Sequence, residues 1–379
     1  MKRLLPRFAL AASLLAPCSL LLAASAVAAD APALKDAFAG KFLIGAAINE
    51  RMTQPGSPAH DLIKRHFNSV TATNMMKWQP YNPEPGVYRD EPVQAFLDFA
   101  SVNQLHVLGH CIFWHSQTPK WVFEHPISET PVPRDELLER MGERVRRLAT
   151  RYGARVDAWD VVNEAFEDDG SLRNSPFTKI LGRDFLYEAF QMAQDELPPR
   201  AELLYNDYNL EKPGKVKAVI EMVQDLRKRG IRINSVGNQA HWRLETPTLD
   251  EIESSLKAFK DAGIKVHYTE LDIEVLPRRA AGADVGAREQ RTDANDPYTK
   301  GLPADVQQKL AKRYGDIFAL FVKYEDVIER VTFWGVTDGD SWLNNWPVPR
   351  RTNHPLLFDR AGKPKPAFEA VIQAASAKR

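Results

Sequence analysis

The chain has 379 residues, 44% hydrophobic, 26% charged and 9% aromatic, a composition that excludes wholesale disorder, collagen and coiled coil. Lys plus Arg and Asp plus Glu number 50 each, so no basic excess points to nucleic acid and no asymmetry to an anionic membrane surface. A chain of this length can bury a large core without disulfides or metals.

At the start, Lys2, Arg3 and Arg7 precede an apolar stretch over 8–22 and the small residues Ala26, Val27, Ala28 and Ala29. This is the pattern of a secretory signal peptide spanning 1–29, and it predicts a secreted or periplasmic product. A retained membrane anchor fits poorly, because Pro17 interrupts the apolar run. Residues 30–379 are expected to form one monomeric catalytic domain. Its one cysteine, Cys111, leaves no internal disulfide.

Beyond the leader a single alternation repeats. Strand-like runs are predicted at 42–49, 69–74, 106–114, 156–163, 202–209, 233–241, 265–273 and 331–337. Amphipathic helices are predicted at 57–67, 92–103, 134–152, 183–196, 214–229, 249–262 and 304–324, with a last one near 367–374. Pro92 stands in a first helical turn, and Gly230 and Gly263 stand where helices stop. Eight such pairs with apolar strands imply a parallel sheet covered by helices. An open doubly wound sheet usually carries a Gly-rich phosphate loop after its first strand, and FLIGAAINE has none. The expectation is a (β/α)8 barrel, with the irregular segment 277–303 over its C-terminal mouth.

Polar groups crowd the strand ends. The fourth run ends in Asn163-Glu164, and the seventh contains Glu270 and Asp272. A carboxylate in an apolar strand is costly unless paired or used, so each has a core ion pair as its alternative reading. Period-2 geometry puts Glu270 and Asp272 on one face, Gln239 and His241 on a face of the neighbouring strand, and His110 and Trp114 together on the third. His241 is therefore expected to touch Glu270 or Asp272. His106 and His110 would chelate a metal on a helix but stand roughly 13 Å apart on a strand, so no metal is expected. No G-x-S-x-G elbow supports a serine nucleophile. Two glutamates with many aromatics fit glycosidic bond cleavage, which needs no cofactor.

The runs GAAIN, TNMMKWQP, GHCIFWHSQTPKW, WDVVNEAF, LLYNDYN, GNQAHW, YTELDI, TFWGVTDGDSWL and PLLFDRAGKPKPAFEAV span 45–371. In this order they closely resemble the glycoside hydrolase family 10 endo-β-1,4-xylanases. The resemblance implies a retaining enzyme acting on xylan and xylo-oligosaccharides, with Glu164 as acid/base and Glu270 as nucleophile. His241 and Asp272 would support the nucleophile, and Asn163 would bind a sugar 2-hydroxyl. Asn49, Asn74 and Lys77 would line the distal glycone side. Trp78, His110, Trp114, Gln239, Trp334 and Trp342 would surround the sugar at the cleavage point, with Tyr208 on the leaving-group side. Core packing is the alternative for the tryptophans, Trp78 and Trp121 above all. One position departs from the pattern: Thr73 stands where the family usually has a glutamate. A related β-glucanase and a non-catalytic carbohydrate-binding barrel are the rival readings.

Overall fold

The computed structural model describes residues 32–279 and 285–376; the predicted signal peptide lies outside them. Eight strands follow in chain order: β1 (Leu43–Ile48), β2 (Ser69–Ala72), β3 (His106–Gly109), β4 (Ala158–Asn163), β5 (Glu202–Asp207), β6 (Ser235–Asn238), β7 (Lys265–Glu274) and β8 (Ile328–Phe333). Each pairs in parallel with the next. β8 returns to β1 with Arg330 opposite Leu43, which closes the barrel. The expected (β/α)8 fold is the observed one.

A main helix follows each strand: α1 (Pro58–His66), α2 (Asp90–Val102), α3 (Arg134–Tyr152), α4 (Asp184–Glu196), α5 (Pro213–Lys228), α6 (Leu249–Asp261), α7 (Ala304–Lys323) and α8 (Pro366–Ala375). Local chemistry sets their ends. Proline opens α1, α5 and α8, where a missing N–H leaves no helical bond unmade. At α6 the Thr248 hydroxyl accepts from Glu251 N at 3.2 Å, and Glu251 Oε2 accepts from Thr248 N at 2.7 Å. Helix α2 starts at Asp90 rather than Pro92, which leaves the proline within the first turn, and the Asp90 carboxylate accepts from the hydroxyls of Tyr81 and Tyr152.

Three strands differ most from the sequence expectation. The run 106–114 breaks after Gly109; pairing resumes at Phe113 and Trp114 against Val162 and Asn163. The run 233–241 breaks after Asn238, where Ala240 adopts φ 58° and turns the chain. His241, Trp242 and Arg243 then pair with Asp272, Ile273 and Glu274. Gln239 and His241 therefore do not share a face of one continuous strand. The eighth strand starts earlier, at Ile328, because Arg330 points its charge into the closed end of the barrel, where its guanidinium donates to His106 Nδ1 at 2.6 Å. Nearby, His267 lies 3.3 Å from Glu329 and 3.4 Å from Glu202. At β8 these ionic residues disguise the beginning of the strand as loop.

Gly237 lets two strands approach. A β-carbon there would lie 2.3 Å from Asn206 Oδ1 and 2.8 Å from Thr269 Cγ2. Gly237→Ala is expected to cost about 1–3 kcal/mol in urea unfolding, the range for overpacking. It should also lower activity per folded molecule, because Asn206 is forced to move; unchanged activity would mean that Asn206 has slack.

Candidate active site

The C-terminal ends of the strands open into a cleft of about 360 Å3. Of the residues expected there, Asn49, Asn74, Lys77, His110, Trp114, Asn163, Glu164, Gln239, His241, Glu270, Trp334 and Trp342 line it. Arg51, Gln117, Asp340, Ser341 and Asn345 line it too; they sit in the connections after the strands, Arg51 in a short 3-10 turn, where no period marks them. Val285, from the segment after β7, reaches the same wall.

Glu164 follows the last residue of β4 with φ 59°, a left-handed conformation that costs a non-glycine residue about 1–3 kcal/mol. Two hydrogen bonds fix this turn: Glu164 N donates to Asn206 O at 2.8 Å, and Arg173 Nε donates to Glu164 O at 2.8 Å. Its carboxylate is then held at both oxygens. Oε1 accepts from Gln239 Nε2 at 2.9 Å and Asn163 Nδ2 at 3.1 Å, and Oε2 accepts from Trp114 Nε1 at 2.8 Å.

Glu270 projects from β7. Oε1 accepts from Asn206 Nδ2 at 3.0 Å, and Oε2 lies 3.1 Å from His241 Nε2. The other ring nitrogen of His241 is 3.1 Å from Asp272 Oδ1, and Asp272 Oδ2 accepts from Trp342 Nε1 at 2.8 Å. His241 thus touches both carboxylates, as expected. Asp272 stands behind it, off the cleft wall.

Asn206 joins the two halves. Its Nδ2 donates to Glu270 and, at 2.9 Å, to Asn163 Oδ1, while Thr269 donates to its Oδ1 at 2.7 Å and sets the orientation of the amide. The sequence reading passed over Asn206. The available signal was an amide inside the apolar strand LLYND, next to the run that carries Glu270. Asp160 was also missed: fully buried on β4, it lies 2.8 Å from His110 Nδ1.

Two expected sugar contacts do not line this cleft. Trp78 is 2% exposed and packs on Phe113, Trp121 and the Arg144 guanidinium, 4.9 Å away, so it belongs to the packing beneath the cleft. Tyr208 is off the cleft wall, its hydroxyl accepting from Arg173 at 2.8 Å. Lys77 is nearly buried: its Nζ donates to Asn74 Oδ1 at 3.0 Å and lies 4.9 Å from the Trp114 ring. His106 and His110 occupy different surroundings, with Arg330 and with Asp160, and do not form a chelating pair.

The electrostatics separate the two glutamates. Burial raises the pKa of Glu164, and the charge of Glu270 adds to it against the Gln239 and Trp114 hydrogen bonds. Burial also acts to raise Glu270, but the His241 hydrogen bond, with His110, His241 and Lys77 around it, overcomes this and leaves Glu270 lowered. Burial would lower His241; Asp272 and Glu270 outweigh it and push the imidazole up to about 10. Over the window between the two carboxyls, Glu164 carries a proton and Glu270 a charge.

The family described as Glycosyl hydrolase family 10 matches residues 33–374. The endo-1,4-beta-xylanase A of Xylanibacter ruminicola is 40% identical over 358 residues, 93% of this chain and 96% of that protein. A GH10 endoxylanase retrieved from a sugarcane soil metagenome superposes with a TM-score of 0.85 at 43% identity, covering 90% of this chain and 99% of that one. A mutant structure in complex with xylotriose matches at 35% identity and a TM-score of 0.81, with 90% and 99% covered.

Folded His241 titrates near 10 against an ordinary value of 6.5. Its charge therefore stabilises the fold fully below the lower value, and the contribution is lost as pH rises through the higher one. His241→Gln is expected to lose more unfolding free energy at about pH 6 than at about pH 10. In the same variant the acid limb of kcat/KM should move to higher pH as Glu270 loses its support. An equal loss of stability at both pH values would contradict the ionised wedge.

Proposed function

The chain belongs to glycosyl hydrolase family 10, and from that membership and the site's geometry we propose that it hydrolyses internal β-1,4 bonds of xylan with retention of configuration. The observation that carries this reading is the pair of buried glutamates in one cleft with pKa values pushed in opposite directions. Glu270, ionised and held by Asn206 and His241, attacks the anomeric carbon. Glu164 gives its proton to the leaving oxygen. Once Glu270 is esterified its charge is gone, and with it a cause of the raised Glu164 pKa. Glu164 is then the stronger acid and, ionised, takes a proton from the water that attacks the glycosyl-enzyme.

Asn163 faces the same region from the end of β4 and is read as the partner of the sugar 2-hydroxyl. His241 and Asp272 hold Glu270 in place and charged. Asn49, Asn74 and Lys77 take the distal glycone sugar, and His110, Trp114, Gln239, Trp334 and Trp342 enclose the sugar at the cleavage point. Tyr208, joined to Glu164 through Arg173, stands for the leaving-group side. The likeness to a structure holding xylotriose supports xylan and xylo-oligosaccharides as substrates. Residues 1–29 are read as a signal peptide that delivers a monomeric domain to the periplasm or medium. No helix among the described residues is long and apolar enough to cross a membrane.

Glu270→Ala is expected to abolish turnover, with azide restoring part of it as a glycosyl azide of inverted configuration. Glu164→Ala should lose about 10²–10⁴-fold on xylan and far less on aryl xylosides with acidic leaving groups, which need little protonation. Equal losses on both substrates would remove Glu164 from the acid role.

A further inference from the structure

Continuous with the cleft lies a second hollow of about 420 Å3. Asn49, Arg51, Thr73 and Asn74 line both spaces and form the threshold between them. Beyond it the hollow is walled by Met75, Pro80 and Pro92, with Arg89 as a second cation and Glu50 as the opposing charge. Its size lies within the range of small-molecule sites. Two guanidinium groups favour a carboxylate, which they can meet through paired N–H donors.

The threshold is open because of Thr73. This short, neutral side chain turns its hydroxyl to Ile48 O at 3.4 Å and brings no charge to the opening. Arg51 is 74% exposed and 3.1 Å from Asp340, an exposed pair weak enough to exchange partners. On the cleft side of the threshold, Lys77 adds a third cation, next to Asn74. On the proposed function a polysaccharide main chain runs through the cleft, which leaves the adjoining hollow to a substituent of that chain.

We propose that the hollow receives an acidic sugar branch: a uronic acid carried by the xylose over Asn49, Asn74 and Lys77, its carboxylate met by Arg51 and Arg89. Thr73 sets this specificity by leaving room for the branch and bringing no negative charge to the threshold. The proposal rests on the reading of the cleft as a xylan site.

The test compares kcat/KM on three substrates: a linear xylo-oligosaccharide, the same oligosaccharide with a uronic acid on its distal glycone unit, and that compound with the carboxyl reduced to an alcohol. The acidic compound should exceed its reduced form by about tenfold at low salt, and the advantage should shrink as salt screens the exposed arginines. Arg89→Ala should cut the acidic rate about fivefold and leave the linear rate unchanged. Thr73→Glu should cut the acidic rate by about tenfold or more without lowering the linear one. Cleavage of the linear compound with the acidic-to-linear ratio unmoved in both variants would overturn the hollow alone. Failure to cleave the linear compound would overturn the reading beneath it as well.

Discussion

The site depends on one imidazole lodged between two buried carboxylates. His241 lies 3.1 Å from Glu270 and 3.1 Å from Asp272, and each contact favours its charged form over the neutral form that burial prefers. A carboxylate as buried as Glu270 would otherwise hold its proton and be a poor nucleophile. Because His241 keeps Glu270 charged, the second glutamate in the same cleft meets a negative neighbour and holds its own proton more tightly. Burial is the larger cause of the raised Glu164 pKa; the His241 wedge supplies the other half of the division of labour by keeping Glu270 lowered against the same burial.

The barrel supplies the wedge and its frame from different strands. The break in the chain at Ala240 lets His241 pair alongside Asp272 instead of running on beside Gln239. Asn206 on β5 ties Glu270 to Asn163, and Gly237 on β6 leaves the space that Asn206 occupies. The left-handed turn at Glu164 is held by the Asn206 carbonyl, which accepts from Glu164 N, and by the Arg173 guanidinium, which donates to Glu164 O. Strain at that residue is thus stored where the chemistry takes place, and the rigid strands around it supply the compensation.

Periodicity made the fold legible. Helix α3 falls on its predicted bounds, and the others lie within two residues of theirs, because apolar spacing and end signals agree there. The strands were harder wherever function or closure intervenes. Arg330 and Glu329 conceal the start of β8, since Arg330 is met only across the closed barrel by His106 on β3, and Glu329 by His267 on the neighbouring β7. The carboxylates and His241 stood out as charges in apolar runs. Asn206 did not, because an uncharged amide in a strand carries no comparable penalty until its partners are known. Trp78 misled for the opposite reason: in a run rich in sugar-facing residues, only its neighbours show that it packs against Arg144 and Trp121. Arg51, Asp340 and Asn345 come from loops whose positions depend on the assembled barrel.

Glu164 and Glu270 are held in opposite protonation states at the same pH. Enzyme labelled with carbon-13 at the glutamate side-chain carboxyls, titrated by NMR and assigned with Glu164→Gln and Glu270→Gln variants, reads both groups directly. Glu270 is expected to titrate below the ordinary glutamate range and Glu164 above it, with Glu164 moving down when the Glu270 charge is removed. Two carboxyls titrating together, or Glu270 above Glu164, would contradict it.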